Sequence, residues 1–377
     1  MKNILIIGDP SSVWIKRYIE KILMPEDVKI YVADFVKGGK FTDFYNQNGI
    51  TLIALDRKTD SFIDRIPKLG GLVSFIRNRK ILKNIARYDI IQVHYVMRWA
   101  LRLAKALKNK NSALVASYWG SDLFRKSQKE MNRERKYLDA ATGITLSTIK
   151  MREKFRSVYG QRYDFVISSP FFGVSGFEDI DQIRKTFSAS ECKNSFGLRH
   201  DKLAIAIGYN KSQAQQHDKV LTALTGLNEE LQSKIELVLH VGYGTCSDEY
   251  WQSVTATAEK LSCRTVIIDK FLNDEEVAKL RLAVDVFVNA QKTDAFSATM
   301  QEYIYAGAVV MNPEWLRYDE LEKFKLEYIE YDEFSSLPGL IEAMIVGGVE
   351  KNTENRRLAE HTSWGAARQE WISSLKL

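Results

Sequence analysis

The sequence predicts an α/β protein built from two doubly wound domains in tandem, and three observations carry that expectation. Short apolar, β-branched runs alternate with longer stretches of helical periodicity along the whole chain, the pattern of βαβ units whose parallel sheet is covered by helices on both faces. The rhythm breaks once, at Ser168-Ser169-Pro170-Phe171-Phe172-Gly173, and then restarts. The formal charge reverses across the same break: residues 1–170 hold 32 Lys+Arg against 16 Asp+Glu, and residues 171–377 hold 22 against 32. A chain of 377 residues is also long enough for two or three domains of about 150 residues, each with its own core.

Taken in order, strands are expected in the first half at Asn3 to Ile7, Val28 to Val32, Thr51 to Leu55, Asp89 to Val93, Ala113 to Ser117, Gly143 to Leu146 and Asp164 to Ile167. Between the third and fourth, from Ile66 to Tyr88, apolar Leu69, Leu72, Val73, Phe75, Ile76, Ile81, Leu82 and Ile85 alternate helically with Arg77, Arg79, Lys80, Lys83 and Arg87. One face of such a helix suits a sheet; the basic face suits water or an anionic membrane surface. In the second half the expected strands are Leu203 to Ile207, Ile235 to Val241, Thr265 to Ile268, Val284 to Val288, Val309 to Met311 and Glu327 to Glu330. The expected domains are residues 1–172 and 173–361. The last segment, 362–377, carries Trp364, Ala367, Trp371, Ile372 and Leu375 at helical spacing and is expected to return to the first domain.

Six prolines, 21 glycines and no low-complexity tract exclude a collagenous or largely disordered chain. The first apolar run, Ile4 to Ile7, is cut by Gly8-Asp9-Pro10, and no apolar stretch approaches the roughly 20 residues of a spanning helix. Neither signal peptide nor anchor is expected. Cys192, Cys246 and Cys263 are odd in number and lack metal-ligand spacing, which points to a reduced, cytoplasmic compartment. The basic first half selects anionic partners, but no zinc-finger spacing or RNP-like aromatic motif accompanies it, so nucleic acid is not expected as a partner.

In open parallel sheets ligands bind beyond the carboxyl ends of the strands, so the residues just after each apolar run are the candidates. Gly8 opens a small-residue turn, Gly8-Asp9-Pro10-Ser11-Ser12, that is not a GxGxxG fingerprint. His94, at a strand end, is a candidate for handling a proton. Tyr118-Trp119-Gly120-Ser121-Asp122-Leu123 follows the next strand, and Asp122 either accepts a substrate hydroxyl or caps a helix. In the second half Gly208-Tyr209-Asn210-Lys211 runs through Gln216 and His217 into a helix, a geometry suited to a pyrophosphate, without the GKS/T of a P-loop. Asp294 precedes a helix that carries Glu302 a turn inside it. A carboxylate at the first position can face a reacting sugar, one at the second can accept vicinal ribose hydroxyls, and Ser297, Ala298 and Thr299 at the helix start can cradle phosphate; read without any family context, a helix cap and a solvated glutamate fit these residues equally well. Asp179-Ile180-Asp181 spells a metal-binding DxD but reads as linker sequence ahead of a helix, so no metal is expected. Asp274-Glu275-Glu276 reads as an acidic helix start.

These segments together resemble the GT-B glycosyltransferases of glycosyltransferase family four. Asp294 to Gly307 resembles the family's E-x7-E segment, Asp89 to His94 its D-x-x-x-x-H strand end, Trp119 to Leu123 its H-G-S-D-L loop, and Gly208 the start of its donor phosphate loop. The first glutamate is Asp294 here, the loop histidine is Trp119, and the loop's usual Arg and Lys are replaced by Asn210, Lys211, Gln216, His217 and Lys219. Trp119 to Phe124 and Gly242-Tyr243-Gly244 are also similar to bacterial transferases that add an acetamido-fucose to a lipid-linked oligosaccharide. Those are read as inverting and family four as retaining, so stereochemistry stays open.

The resemblance implies two Rossmann-like domains facing a central cleft and transfer of a sugar from a nucleotide-sugar donor to a glycan acceptor, lipid-linked, in bacterial surface polysaccharide synthesis, with no cofactor or metal. Catalysis would fall to His94, Asp122 and Asp294, and donor binding to Gly8, Gly208, Tyr209, Asn210, Gln216, His217, Ser297, Ala298, Thr299 and Glu302. The enzyme would be cytoplasmic and peripheral on the inner face of the membrane. A nucleotide-sugar epimerase on the same architecture is the alternative, distinguished by turnover without an acceptor. Nucleic-acid binding is the weaker one, distinguished by strong salt dependence.

Overall fold

The computed structural model describes residues 1–34, 39–55 and 69–377. Two compact units divide the chain, one of residues 1–173 with 364–377 and one of residues 174–363.

In the first unit β1 (Lys2–Ile7), β2 (Val28–Asp34), β3 (Thr51–Ala54), β4 (Ile90–His94), β5 (Ala113–Ser117), β6 (Gly143–Thr145) and β7 (Ile167–Ser168) form a sheet of order β3-β2-β1-β4-β5-β6-β7. Each neighbouring pair is parallel. The order reverses between β1 and β4. The central strands are Val/Ile/Leu-rich because both faces are covered: Ile4 to Ile7, Ile90, Ile91 and Val93 are all buried. The last strand is shorter than the sequence suggests. Asp164–Val166 is a 3-10 turn, and only Ile167 and Ser168 pair with β6.

Of the segment expected to be helical between Ile66 and Tyr88, Leu69–Ile85 is a helix, and Ile66 lies outside the described residues. Leu82 is buried, and Arg102 of the helix Arg98–Leu107 stacks on the Phe75 ring at 4.0 Å. The apolar residues do not all turn inward. Leu72 and Ile76 are 41% and 56% exposed, beside exposed Arg77, Lys80 and Lys83.

The helix Trp364–Leu375 belongs to this unit. Its buried residues Trp364, Ala367, Trp371, Ile372 and Leu375 follow the spacing of one helix face. The Trp371 indole N–H donates to the Phe171 carbonyl at 2.8 Å, and its ring packs edge-on to Tyr18 at 4.9 Å and Phe172 at 5.2 Å. Gly173 is required here, because a Cβ would stand 2.3 Å from Trp364 Cγ.

The second unit repeats the plan with β8 (Leu203–Ile207), β9 (Ile235–His240), β10 (Arg264–Ile268), β11 (Val286–Val288), β12 (Val309–Pro313) and β13 (Ile329–Tyr331), in the order β10-β9-β8-β11-β12-β13. All pairs are again parallel. The reversal falls between β8 and β11. The Asp179-Ile180-Asp181 triplet, expected in a linker, lies within the helix Gly176–Thr186. Asp181 there binds Arg184 at 2.8 Å and accepts the Tyr305 hydroxyl at 2.6 Å. Both are ordinary structural uses. Cys192, Cys246 and Cys263 are free thiols.

Candidate active site

A reversal of strand order leaves the loops on either side diverging, which opens a crevice at the carboxyl ends of the two central strands. In the first unit those ends carry Gly8, after β1, and His94, which closes β4. A Cβ on Gly8 would sit 2.5 Å from Ile15 Cδ1 and 3.2 Å from His94 Cβ, so close packing already accounts for this glycine. Around them is a cleft of about 360 Å³ lined by Asp9, Ser12, Tyr95, Met97, Trp99 and Trp119 among others. Aromatic faces with a few polar groups are the usual lining of a small-molecule site.

His94 is almost wholly enclosed by Tyr18, Trp119, Phe172 and Trp371. Burial lowers its pKa to about 3, so the ring is neutral near pH 7. The Trp119 indole N–H donates to Nδ1 at 3.3 Å, which assigns the ring proton to Nε2. Nε2 is buried and has no partner among the described residues. The ring is therefore a neutral donor, where the sequence suggested a group that titrates near neutrality and handles a proton.

Asp122 is placed differently from either role considered for it. One carboxylate oxygen accepts the backbone N–H of Trp119 at 2.8 Å and of Gly120 at 3.0 Å; the other accepts the N–H of Val96 at 2.6 Å. The side chain is buried and ties the loop after β4 to the loop after β5. Lys126 reinforces the tie by donating to the Val96 carbonyl and pairing with Glu134 at 2.8 Å. Burial pushes the Asp122 pKa up to about 6, while the amides and the Lys126 ammonium hold it from rising further. Tyr95, between the two ties, takes a left-handed φ of 57° and stands exposed in the cleft. Such strain persists only where surrounding contacts over-determine it.

In the second unit the crevice lies at the ends of β8 and β11. Gly208 donates its N–H to the Val288 carbonyl at 3.2 Å and has φ 61°, the left-handed region that favours glycine. The space a side chain would take is bordered by His217 Nε2 at 2.8 Å and Gln215 Oε1 at 3.0 Å. Both atoms are buried and lack hydrogen-bond partners among the described residues. Burial lowers the His217 pKa to about 4. Gln216 adopts φ 53° at the start of the helix His217–Leu224, and its amide donates to the Ala290 carbonyl at 2.7 Å.

Asn210 accepts the Ser212 N–H at 2.8 Å, which shapes the turn. Tyr209 donates to Gln291 Oε1, which also receives the Gln215 amide at 3.0 Å. The Asp294 charge helps raise the pKa of the Tyr209 hydroxyl above its ordinary value, after burial as the larger cause. Asp294 itself accepts the Ala295 N–H at 2.7 Å. Ser297, expected to cradle a ligand, uses its Oγ to cap the helix Ala298–Ala306 by accepting the Met300 N–H at 3.2 Å. Ala298 and Thr299 are half-buried in its first turn. Glu302, one turn in, is paired with Arg281 at 3.0 Å. Lys211 places its ammonium 4.8 Å from the Trp251 ring centroid.

Arg281, Gln215, Gln291, Tyr95 and Trp99 were not singled out from the sequence. Gln291 and Tyr95 lie just past strand ends and were open to the same reading. Arg281 had a fainter signal, a basic residue three positions after buried Ala278 on a helix face. Among the described residues no group of three or more His, Cys, Asp or Glu side chains is placed to hold a metal ion. No helix among them is long and apolar enough to cross a membrane.

Residues 3–148 match the family described as glycosyl transferase 4-like. No curated protein sequence matches the chain significantly. Among solved structures, HepE from Anabaena in complex with UDP-glucose is similar over all of both chains, with TM-score 0.71 and 15% identity. A glycosyltransferase from Rickettsia africae gives TM-score 0.72 and 14% identity over all of this chain and 98% of that one. Sucrose-phosphate synthase from Thermosynechococcus elongatus gives 0.70 and 12%, again over 100% and 98%.

Proposed function

We propose that this chain, a glycosyltransferase of the GT-B fold, binds a nucleoside diphosphate sugar at the β8–β11 crevice and passes the sugar to a glycan acceptor bound in the cleft beside His94. The observation that carries the donor assignment is the Gly208 cradle. A left-handed glycine faces two buried polar atoms without partners, and unpaired buried groups each cost about 1–3 kcal/mol unless a ligand meets them. HepE, similar in fold, is crystallised with UDP and with UDP-glucose, which makes a UDP-sugar the first donor to test.

In the reaction the bond from the anomeric carbon to the diphosphate breaks and the acceptor hydroxyl oxygen bonds to that carbon. The hydroxyl proton leaves with the diphosphate. His94 is too weak a base to take it, and the Asp122 carboxylate is occupied by three amides. His94 instead donates Nε2–H to a substrate oxygen, Asp294 orients the donor sugar, Glu302 accepts ribose hydroxyls, and Tyr209, Asn210, Gln216, His217, Ala298 and Thr299 border the diphosphate. Gly8, expected from the sequence to bind the donor, lines the first unit's cleft beside His94 and is assigned instead to the floor of the acceptor site. Transition-state stabilisation is electrostatic, from fixed dipoles around the leaving group, and needs no divalent ion.

The acceptor is lipid-linked and is met at an anionic membrane surface during surface polysaccharide synthesis. Exposed Leu72 and Ile76 beside Arg77, Lys80 and Lys83 support this, since each basic side chain near such a surface contributes about 1 kcal/mol. Release of UDP from UDP-glucose on addition of a lipid-linked glycan, undiminished by a chelator, is the expected result. Turnover that needs no acceptor favours epimerisation or hydrolysis, and activity restored only by manganese or magnesium removes the metal-independent account. Co-sedimentation with vesicles should rise with anionic lipid and drop when Arg77, Lys80 and Lys83 become Glu.

A further inference from the structure

The pairing of Glu302 gives its carboxylate an unusual setting. Arg281, on the helix Asp274–Ala283, is only 3% exposed, yet it is a full guanidinium charge. Its Nε donates to Glu302 Oε2 at 3.0 Å, and its plane lies over the Tyr303 ring at 4.4 Å from the centroid. Nη1 is buried with no partner among the described residues. Burying such a group is costly, and an apolar side chain of similar volume usually packs at least as well. Helix packing alone therefore gives no reason for an arginine here.

The other carboxylate oxygen shows what the arginine accomplishes. Glu302 Oε1 lies against Gly176, where a Cβ would come within 2.6 Å. It receives no hydrogen bond from any described residue, and the Glu302 side chain keeps 14% of its exposure. Gly176 opens the helix Gly176–Thr186, whose N-terminal end favours a carboxylate nearby. One oxygen is thus held while the other is left for a hydroxyl donor.

We infer that Arg281 is a positioning residue for nucleotide recognition: stacked on Tyr303, it holds Glu302 in a single rotamer with Oε1 presented to a ribose hydroxyl. This rests on Glu302 as the ribose-binding carboxylate. A lysine would not reproduce it, because an ammonium on a flexible stem has neither the planar stack nor the directed Nε–H.

The test uses the full chain and measures dissociation constants for UDP, 2′-deoxy-UDP and 3′-deoxy-UDP by calorimetry, with thermal unfolding as a control. Wild type should prefer UDP over the worse deoxy analogue by at least tenfold. Glu302→Gln should bring that ratio close to one. Arg281→Met should lower it to within threefold of one, and Arg281→Lys should cut it severalfold, each with KM for donor moving more than kcat. Should Arg281→Met fail to fold, Arg281→Lys decides. An arginine variant that keeps the wild-type ratio overturns the inference while leaving Glu302 in place. A wild type that does not discriminate, or a Glu302→Gln variant that still does, removes the Glu302 reading and the inference with it.

Discussion

Replacing Asp122 with Asn changes one atom and separates two accounts of that residue. The amide oxygen can still accept the Trp119 and Gly120 N–H groups, at 2.8 and 3.0 Å in the wild type, but the new NH2 then faces the Val96 N–H, which the carboxylate accepts at 2.6 Å. One charge-assisted bond is lost and a donor is set against a buried donor, for a cost of about 2–4 kcal/mol. Asp122→Ala strands all three amides and should cost about 4–5 kcal/mol, less than three independent penalties because the loops relax. Urea unfolding followed by tryptophan fluorescence reads both values. Acceptor KM should rise because the loop bearing Tyr95 and Met97 is released, while affinity for the nucleotide stays within twofold. An Asn variant with the wild-type urea midpoint, lost turnover and a missing inflection near pH 6 in kcat/KM would refute this reasoning and make Asp122 a proton acceptor.

Acid should weaken the fold through its buried histidines. Burial lowers the pKa of His94 to about 3 and of His217 to about 4, and burial with the Arg281 charge lowers His240 to about 4. Because these values lie below the unfolded value near 6.5, the neutral rings contribute stability that is full above pH 6.5 and lost as pH falls toward 4. The loss is about 2 kcal/mol per histidine at pH 5; a urea midpoint unchanged between pH 7 and 5 would contradict it. Trp371→Ala should cost about 3–5 kcal/mol, seen as a lower Tm, since the ring is fully buried and its N–H is bonded; an unchanged Tm would mean that the C-terminal helix contributes little.

The sheets were legible because buried parallel strands are written as continuous β-branched runs, and each expected run overlaps a strand, the weakest case being Asp164 to Ile167, where only Ile167 is paired. Their ends moved where another element competed: Val284, expected in a strand, caps the preceding helix. Crevice residues such as His94 and Gly208 were legible because they directly follow such runs. The role of Asp122 was not, since a carboxylate two residues past a glycine reads the same whether it meets solvent, substrate or amides from a loop 26 residues away. Arg281 and Glu302 are 21 residues apart on separate helices, and no local pattern couples them. The tautomer of His94 depends on the Trp119 indole, which the sequence showed only as a departure from a histidine.

The most direct test of the donor site is nucleotide binding by the whole protein, read as a thermal shift with UDP, ADP, GDP and dTDP. At 100 times its dissociation constant the preferred diphosphate should add about 2.7 kcal/mol. Gly208→Ala, which pushes a Cβ toward His217 Nε2 and Gln215 Oε1 and strains a φ of 61°, should abolish the shift while the variant still unfolds cooperatively. No shift with any of the four at millimolar concentration, or an undiminished shift in Gly208→Ala, would contradict a nucleoside diphosphate site at the β8–β11 crevice.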